Sequence, residues 1–336
     1  MQSLLDEGYA EEVNTDEVMT NSDHTWYLPH FPVFSEKKPD KTRIVFDCAA
    51  KCMGKPLNDA VLQGPDLTNK LLGVLLRFRQ EPVVVMADIK AMFHQVRVPA
   101  AERDVLRYLW WPSGDLTKEV KVYRMCVHLF GGTWSPSCCS FALKRTAEDH
   151  KAEYSADAVN AVLHSFYVDD CLVSCKSESD AIRLVQELRS LEKGGFKLVK
   201  WTSNNTQVFE SIPEQERSKL VKGLDLNQDP LPTERALGVE WDTETDCITY
   251  SITPKKKPLT HRGLLSEVSS MYNPYGFAGP FVLKAKLILQ DLAALKLGTT
   301  LYLREYRRDG VNGKTSYLKC KMSKLADATD PMRSDV

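Results

Sequence analysis

The segment Ser165-Phe-Tyr-Val-Asp169-Asp170-Cys-Leu-Val173 places two neighbouring carboxylates between two apolar flanks. Aromatic and β-branched residues on both sides predict two strands, so Asp169-Asp170 should form the tip of a hairpin. Tight hairpin turns favour Asn-Gly or Asp-Gly, and two adjacent negative charges repel each other unless a cation neutralises them. The pair is therefore either a solvated turn or part of a site for a hard divalent cation such as Mg²⁺.

A third carboxylate follows a different apolar segment. Residues 83–87 (VVVMA) form a continuous apolar run, typical of a strand that is buried on both faces, and the run ends at Asp88. A carboxylate at the end of a buried strand is costly unless it is paired or bound to a metal ion. We expect a sheet that brings Asp88 beside Asp169 on a neighbouring strand. Three carboxylates around two Mg²⁺ ions could activate a 3′-hydroxyl and support a leaving pyrophosphate, as nucleotidyl transfer requires.

The composition restricts the classes of protein and of partner. The chain has 336 residues, and its 43% hydrophobic and 26% charged side chains are ordinary for a globular protein. The net charge of −1 gives no global attraction for a polyanion, so nucleic acid would have to bind local basic surfaces. The nine cysteines lack paired zinc spacing. Residues 1–10 are acidic and lack a long apolar run, so we expect no signal peptide. We therefore expect reduced thiols in an intracellular, cytoplasmic protein with access to the nucleus, without a membrane-spanning segment.

Periodicity and turn signals predict a mixture of helices and strands along the rest of the chain. A weak helical pattern covers residues 3–12, and residues 26–33 should be extended because of their prolines. Helices are predicted over residues 67–79, 135–150, 177–191 and, with breaks at 273–274 and 279–280, 261–297. Strands are predicted over residues 42–48, 107–111, 119–127, 196–201, 237–241 and 247–252.

A basic turn precedes the first of these strands. Lys37, Lys38 and Lys41 lie in the predicted turn, and Arg43 lies in the strand after it. Lysines on an edge strand also block aggregation, so the hairpin is either a phosphate-binding surface or a solvated edge.

The order of these motifs resembles the reverse transcriptase of BEL/Pao-type retrotransposons. The resemblance extends from about residue 4 to residue 297 and rests on residues 43–47 (RIVFD), 63–66 (QGPD), 88–95 (DIKAMFHQ), 130–131 (FG), 135–136 (SP), 167–170 (YVDD), 196–204 (FKLVKWTSN) and 237–241 (LGVEW). It implies an α+β right-hand polymerase fold, with fingers, palm and thumb and an antiparallel palm sheet. It also implies an RNA-directed DNA polymerase that adds deoxynucleotides to a primer 3′-hydroxyl by two-metal catalysis.

The resemblance assigns roles to particular positions. Asp88, Asp169 and Asp170 match the catalytic ligands of two Mg²⁺ ions, which Mn²⁺ can replace, and the backbones of Ile89 and Val168 complete the metal site. The expected nucleotide-binding residues are Arg43, Lys37 and Lys38 on the triphosphate, Phe93 beneath the sugar as a barrier to a 2′-hydroxyl, and Phe130 and Gly131 beneath the incoming nucleotide. The expected primer- and template-binding residues are Tyr167, Lys200, Trp201 and Gly64. For Phe93 and Trp201, plain core packing is the alternative.

The resemblance also divides the chain. Residues 1–23 are expected to be a truncated lead-in, residues 24–66 and 97–129 the fingers, and residues 67–96 and 130–204 the palm. A thumb or connection-like region should follow over residues 205–297, and residues 298–336 should form a divergent, disordered tail. The expected partners are a primed RNA or DNA template and deoxynucleoside triphosphates. We expect this chain to lack the RNase H and integrase domains that usually share the polyprotein, so a catalytically silent remnant or a host-retained nucleic-acid-binding or interaction module is the alternative function.

Overall fold

Helices and strands alternate through the chain in the computed structural model, which describes residues 1–19, 24–35, 38–222, 230–249, 261–270 and 272–294. The chain divides into two compact units, Met1–Asp229 and Pro230–Val336. Among the described residues, no helix combines the length and the apolar character that are needed to cross a lipid bilayer. The predicted tail over residues 298–336 lies outside the described part of the chain.

The described part of the first unit contains the following helices and strands. The helices are α1 (Gln2–Asp6), α2 (Thr15–Met19), α3 (Leu57–Ala60), α4 (Leu71–Phe78), α5 (Ser135–Asp149), α6 (Ala156–His164), α7 (Glu178–Arg189) and α8 (Thr206–Glu210). The strands are β1 (Ala10–Glu12), β2 (His30–Ser35), β3 (Lys38–Phe46), β4 (Lys51–Cys52), β5 (Lys55–Pro56), β6 (Val83–Ile89), β7 (Arg107–Trp110), β8 (Lys121–Met125), β9 (Phe166–Tyr167), β10 (Asp170–Cys175) and β11 (Leu198–Ser203). Short 3₁₀ helices cover Met92–Gln95, Ala100–Leu106, Pro112–Gly114, Ser190–Gly194 and Glu214–Glu216.

A four-stranded antiparallel sheet with the order β11-β6-β10-β9 lies at the centre of the first unit. The apolar run that predicted a strand buried on both faces forms β6, and its residues Val84 and Val85 are both inaccessible to solvent. Alternate residues of β6 and β10 pack with α5, α6 and α7 into a cluster that we call the central core. Its members include Val85, Ile89 and Cys171.

A second cluster, the N-terminal core, surrounds the three-stranded sheet β1-β8-β7. It includes Tyr108 and Met125 of that sheet together with Ala10 of β1 and Phe46 of β3. The N-terminal strand and the hairpin β2–β3 therefore pack into one core. Ala10–Glu12 pairs in antiparallel register with residues 123–125 of β8. The first residues of the chain therefore complete a sheet.

One arginine joins the N-terminal segment to this sheet. Arg124 on β8 forms ion pairs with Glu11 at 2.7 Å, Glu17 at 2.7 Å and Asp104 at 2.9 Å. A network of several charges around one guanidinium holds its geometry better than isolated surface pairs do. The network fixes β1 and α2 to the strand beside them.

The second unit contains a three-stranded meander, β12 (Thr233–Ala236), β13 (Val239–Asp242) and β14 (Cys247–Thr249), and the helices α9 (His261–Val268) and α10 (Gly279–Ala294), which contact each other. The strands predicted over residues 237–241 and 247–252 pair as β13 and β14, and the meander adds a strand before them. Residues 250–252 lie outside the described part of the chain. Trp241 is fully buried, and its Nε1 donates to the Asp246 carboxylate at 2.9 Å.

Two predicted helical regions are wrong at one end, the first at its N-terminal end and the second at its C-terminal end. The helix predicted from residue 67 begins at Leu71, because the preceding residues are held in extended form by side chains. Asp66 accepts a hydrogen bond from the Thr68 N–H at 3.0 Å, and Asn69 Nδ2 donates to the carbonyl oxygens of Leu163 and Phe166 at 3.1 and 2.9 Å. The weak helical pattern over residues 3–12 divides into α1 and β1.

The sequence prediction missed helix α6. Ser155 caps it: the hydroxyl accepts from the Ala158 N–H at 3.2 Å and donates to the Glu187 carboxylate at 2.5 Å. Its buried face consists of Ala158, Ala161 and Val162. The helix spans only nine residues, so its pattern covers few turns. The predicted turn over residues 37–41 is also wrong, since β3 begins at Lys38.

The central core supplies a direct test of this packing. Leu188 on α7 is 1% exposed, so Leu188→Ala should lower the free energy of unfolding by about 2–5 kcal/mol. Equilibrium urea unfolding measures the change. Gln186→Ala alters an exposed position of the same helix and should change the stability by less than about 0.5 kcal/mol. Equal effects of the two substitutions would contradict the described packing of α7.

Candidate active site

The three carboxylates meet at one end of the central sheet. Asp170 begins β10 and lies directly opposite Asp88 of β6 in the antiparallel register. It also pairs with Tyr167 of β9, so Val168 and Asp169 form a two-residue loop. The predicted hairpin is confirmed, but the register places Asp170, not Asp169, across from Asp88.

The loop has a strained backbone at Val168. Its φ is +56°, in the left-handed region that β-branched residues rarely adopt. The loop is held by β6, because the Ile89 N–H donates to the Asp169 carbonyl oxygen at 2.8 Å. Such backbone conformations persist where the surrounding structure fixes them, and they cluster at functional sites. Here the conformation belongs to the loop that places two consecutive aspartates beside the end of β6.

Burial and mutual repulsion make the ionised carboxylates costly. Burial raises the pKa of Asp170 to about 7, and the negative charges of Asp169 and Asp88 add to the shift. Burial, followed by repulsion from Asp88, also raises the pKa of Asp169. A cation placed among these groups would favour their charged forms.

The described structure supplies one such cation. Lys200 Nζ donates to Asp88 Oδ2 at 2.7 Å, and its charge lowers the pKa of both Asp169 and Asp170. Lys200 lies where the pairing of β11 with β6 shifts register between Val199 and Thr202, and its φ is +57°. The resemblance predicted a primer contact for Lys200, whereas the structure places its ammonium group on a carboxylate.

The expected nucleotide-binding aromatic residues contact each other. Phe93 lies in the 3₁₀ helix after β6, and its ring centroid is 4.5 Å from that of Phe130. Phe93 is 8% exposed and Phe130 is 51% exposed, so Phe93 belongs to the central core while Phe130 presents a face to solvent. Core packing of Phe93 is therefore compatible with the nucleotide-binding role that the resemblance predicts.

A glycine and an asparagine fix the loop after Phe130. Gly131 has a φ of +108°, and a Cβ there would lie 2.5 Å from the Phe46 carbonyl oxygen. Asn58 donates through Nδ2 to the Gly131 carbonyl oxygen at 3.1 Å and accepts from the Thr133 N–H at 3.1 Å. Asn58 lies 73 residues before Gly131 in the sequence, and only the fold brings the two together. The sequence analysis therefore did not identify Asn58.

The remaining predicted site residues are dispersed. Arg43 is exposed on β3 opposite Val33, Lys38 begins that strand, and Lys37 lies outside the described residues. Tyr167 is half-buried beside Asp170. Gly64 is exposed with a φ of +77°, and a Cβ there would lie 2.6 Å from Ser137 Oγ.

Trp201 corrects one expectation. Its side chain is fully buried in the central core, where Nε1 has no hydrogen-bond partner. A ring without accessible surface cannot contact a primer. Trp201 therefore anchors β11, which is the alternative that the sequence left open.

The carboxylate cluster fits a divalent metal ion by its donor chemistry. Mg²⁺ prefers carboxylate oxygens, and the raised pKa values show a site whose negative charges need a counter-ion. Within the described residues, no three side chains of the His, Cys, Asp and Glu types already form a metal-binding group. Asp88 instead pairs with Lys200.

Comparison with known proteins shows a family resemblance. Residues 36–200 match the family model described as "Reverse transcriptase (RNA-dependent DNA polymerase)". Over this stretch the chain is similar to reverse transcriptases. The match includes all three carboxylates, Phe93, the Phe130-Gly131 loop and Lys200. No curated protein matches the chain.

Solved structures share the fold of this chain. The foamy viral protease-reverse transcriptase dRH in complex with dsDNA has a TM-score of 0.59, and 96% of this chain aligns with 46% of that chain. The foamy viral protease-reverse transcriptase in complex with RNA/DNA hybrid has a TM-score of 0.54, with 97% and 36% covered, and its complex with dsDNA has 0.56, with 97% and 55% covered. Each is 16% identical to this chain, which spans about half or less of their length. The predicted polymerase fold, α+β with antiparallel sheets, is confirmed.

The raised pKa of Asp170 predicts a pH dependence of stability. The folded protein holds a proton up to about pH 7 at Asp170, whereas the unfolded chain loses it near 3.8. The folded state therefore binds more protons between these values, and the free energy of unfolding should fall as the pH rises through this window. Asp170→Asn should flatten that decline in a urea-unfolding series in the presence of EDTA.

The matched control for this series is Asp149→Asn. Asp149 is exposed on α5 and pairs with Arg145 on the protein surface. Surface pairs contribute little to stability. The Asp149→Asn profile should keep the decline, and an unchanged decline in Asp170→Asn would contradict the burial of that carboxyl group.

Proposed function

We propose that this protein is the RNA-directed DNA polymerase core of a BEL/Pao-type retrotransposon. The observation that carries the proposal is the register of β6 and β10, which sets Asp88 opposite Asp170 at the Tyr-Val-Asp-Asp hairpin of a reverse transcriptase domain. The reaction would join the primer 3′-hydroxyl to the α-phosphate of a deoxynucleoside triphosphate and release pyrophosphate.

The carboxylates would hold the metal ions of this reaction. Two Mg²⁺ ions, or Mn²⁺ in their place, supply Lewis-acid activation of the hydroxyl and charge neutralisation on the leaving group. Asp88, Asp169 and Asp170 would bind them, with backbone oxygens of Ile89 and Val168. Lys200 would have to leave Asp88 when the metal ions bind, and its 62% exposed side chain has solvent to move into.

The deoxynucleotide would bind between the aromatic pair and the basic hairpin. Phe93 would lie beneath the sugar, and Phe130 and Gly131 would support the nucleotide from below. Arg43, with Lys37 and Lys38, would hold the triphosphate, because a guanidinium can donate two parallel hydrogen bonds to phosphate oxygens.

A primed RNA or DNA template would be the second substrate. Support comes from the similar solved structures, which are complexes with dsDNA and with RNA/DNA hybrid. Tyr167 and Gly64 would lie along the primer and template. The protein would contact mainly the sugar-phosphate backbone of the nucleic acid. Its affinity should therefore depend little on the nucleotide sequence and strongly on the salt concentration.

The wider assignments extend the same proposal. We assign residues 24–66 and 97–129 to fingers and residues 67–96 and 130–204 to palm, with a thumb or connection-like region to residue 297. The polymerase would normally act with RNase H and integrase domains of one polyprotein. The eight described cysteines are all free thiols, which supports a cytoplasmic site of action.

The proposal is tested by primer extension. The protein is incubated with poly(rA), oligo(dT), dTTP and Mg²⁺ or Mn²⁺. Asp169→Asn should abolish extension, since it removes a ligand charge, and should leave the fold unchanged, because repulsion within the cluster falls. Circular dichroism and thermal melting check the fold.

Asp149→Asn is the matched control and should extend the primer like the wild type. A folded, primer-binding wild type that does not extend the primer would overturn the enzyme proposal. That outcome would favour the catalytically silent remnant or a nucleic-acid-binding module.

Selectivity for the sugar gives a second test. Phe93→Val should raise the efficiency of UTP incorporation relative to dTTP by about 10- to 100-fold, because a smaller side chain would admit the 2′-hydroxyl. Steady-state kinetics with the two nucleotides measures the ratio. Phe141→Ala removes an exposed phenyl ring from α5 and should leave the ratio unchanged. An unchanged ratio of UTP to dTTP incorporation in Phe93→Val would contradict the proposal that the sugar lies against Phe93.

A further inference from the structure

Four aromatic side chains form a continuous series from the N-terminal segment to the proposed nucleotide pocket. The ring centroids of Tyr9 and His94 are 4.8 Å apart, those of His94 and Phe130 are 6.0 Å apart, and those of Phe130 and Phe93 are 4.5 Å apart. These separations lie in the range in which aromatic pairs attract each other. Tyr9 packs on the N-terminal core and Phe93 belongs to the central core, so the series joins the two.

The backbone of Tyr9 is held firmly. Its N–H donates to the Leu4 carbonyl oxygen, and its own carbonyl oxygen accepts from the Cys126 N–H, both at 2.8 Å. Gly8 precedes it with a φ of +69°, a conformation that reverses the chain after α1. Tyr9 is thereby fixed at the start of β1, with its ring directed to His94.

The contact reaches the pocket through the 3₁₀ helix that follows β6. His94 follows Phe93 directly in this helix, and its N–H donates to the Ala91 carbonyl oxygen at 2.8 Å. Displacement of His94 would therefore move the backbone that carries Phe93. Burial lowers the pKa of His94, so the imidazole is neutral and brings no charge to the pocket.

A hydrogen bond supports the same arrangement. Gln95 Nε2 donates to the Lys90 carbonyl oxygen at 2.9 Å and to the Tyr9 hydroxyl at 3.4 Å. The second bond is long, so the ring of Tyr9 contributes more than its hydroxyl.

We propose that Tyr9 is a positioning residue for the nucleotide pocket: its ring holds His94 against Phe130 and thereby fixes the Phe93 ring. This role rests on the proposed polymerase function. Tyr9 acts through His94, which its ring contacts. The N-terminal segment would thus take part in selecting the nucleotide sugar.

Steady-state primer extension with dTTP and with UTP tests the role in the full-length protein. Tyr9→Ala should raise the KM for dTTP and lower the preference for dTTP over UTP, each by about twofold to tenfold, with a smaller change in kcat. Tyr9→Phe keeps the ring and loses only the long hydrogen bond, so it should behave like the wild type. If Tyr9→Ala does not fold, Tyr9→Leu keeps apolar packing and should show the same loss of preference.

Val13→Ala is the control for general loosening of the N-terminal segment. Val13 is buried just after β1, its N–H donates to the Val122 carbonyl oxygen, and it is not part of the aromatic series. Val13→Ala should lower thermal stability without changing the preference for dTTP. An equal loss of preference in Val13→Ala, or none in a folded Tyr9→Ala, would overturn the role of Tyr9. A wild type that extends no primer would refute the proposed function itself, and this role with it.

Discussion

The structure depends on placing three carboxylates at one end of a buried antiparallel sheet. Burying negative charges beside one another is unfavourable, and the raised pKa values of Asp169 and Asp170 express that cost. The central core must supply enough apolar packing to hold these groups together, and β6, buried along most of its length, provides it. The strained loop at Val168 persists for the same reason.

Lys200 supplies a positive charge to the carboxylate cluster. Its ammonium group lies 2.7 Å from Asp88 and reduces the repulsion that the other carboxylates feel. This counter-ion lowers the cost of holding the carboxylates together, and its 62% exposed side chain leaves it free to move aside. The same bulge in β11 that projects Lys200 outward also buries the neighbouring Trp201, so one irregularity serves both charge and packing.

The two cores of the first unit meet at the proposed nucleotide pocket. Phe93 extends from the central core, whereas the loop after Phe130 is fixed by Asn58 and by the close approach of Gly131 to Phe46 of the N-terminal core. The shape of a pocket between two separately packed cores depends on the packing of both cores. The aromatic contact between Tyr9 and His94 makes the N-terminal segment part of that adjustment.

The sequence by itself determined the local elements with strong patterns: the apolar strand β6, the hairpin at Asp169-Asp170, the amphipathic helix α7 and the helix α5 that begins at Ser135-Pro136. The Ser135 cap that these two residues also suggest is absent, since Ser135 is already helical and α5 has no side-chain cap. Only the tertiary structure decided which carboxylate faces Asp88, that Trp201 is core, and that Asn58 and Tyr9 lie near the pocket. Periodicity reports which face of an element is buried, because burial repeats with the geometry of the backbone. Register, bulges and contacts between distant residues depend on packing that no local pattern records.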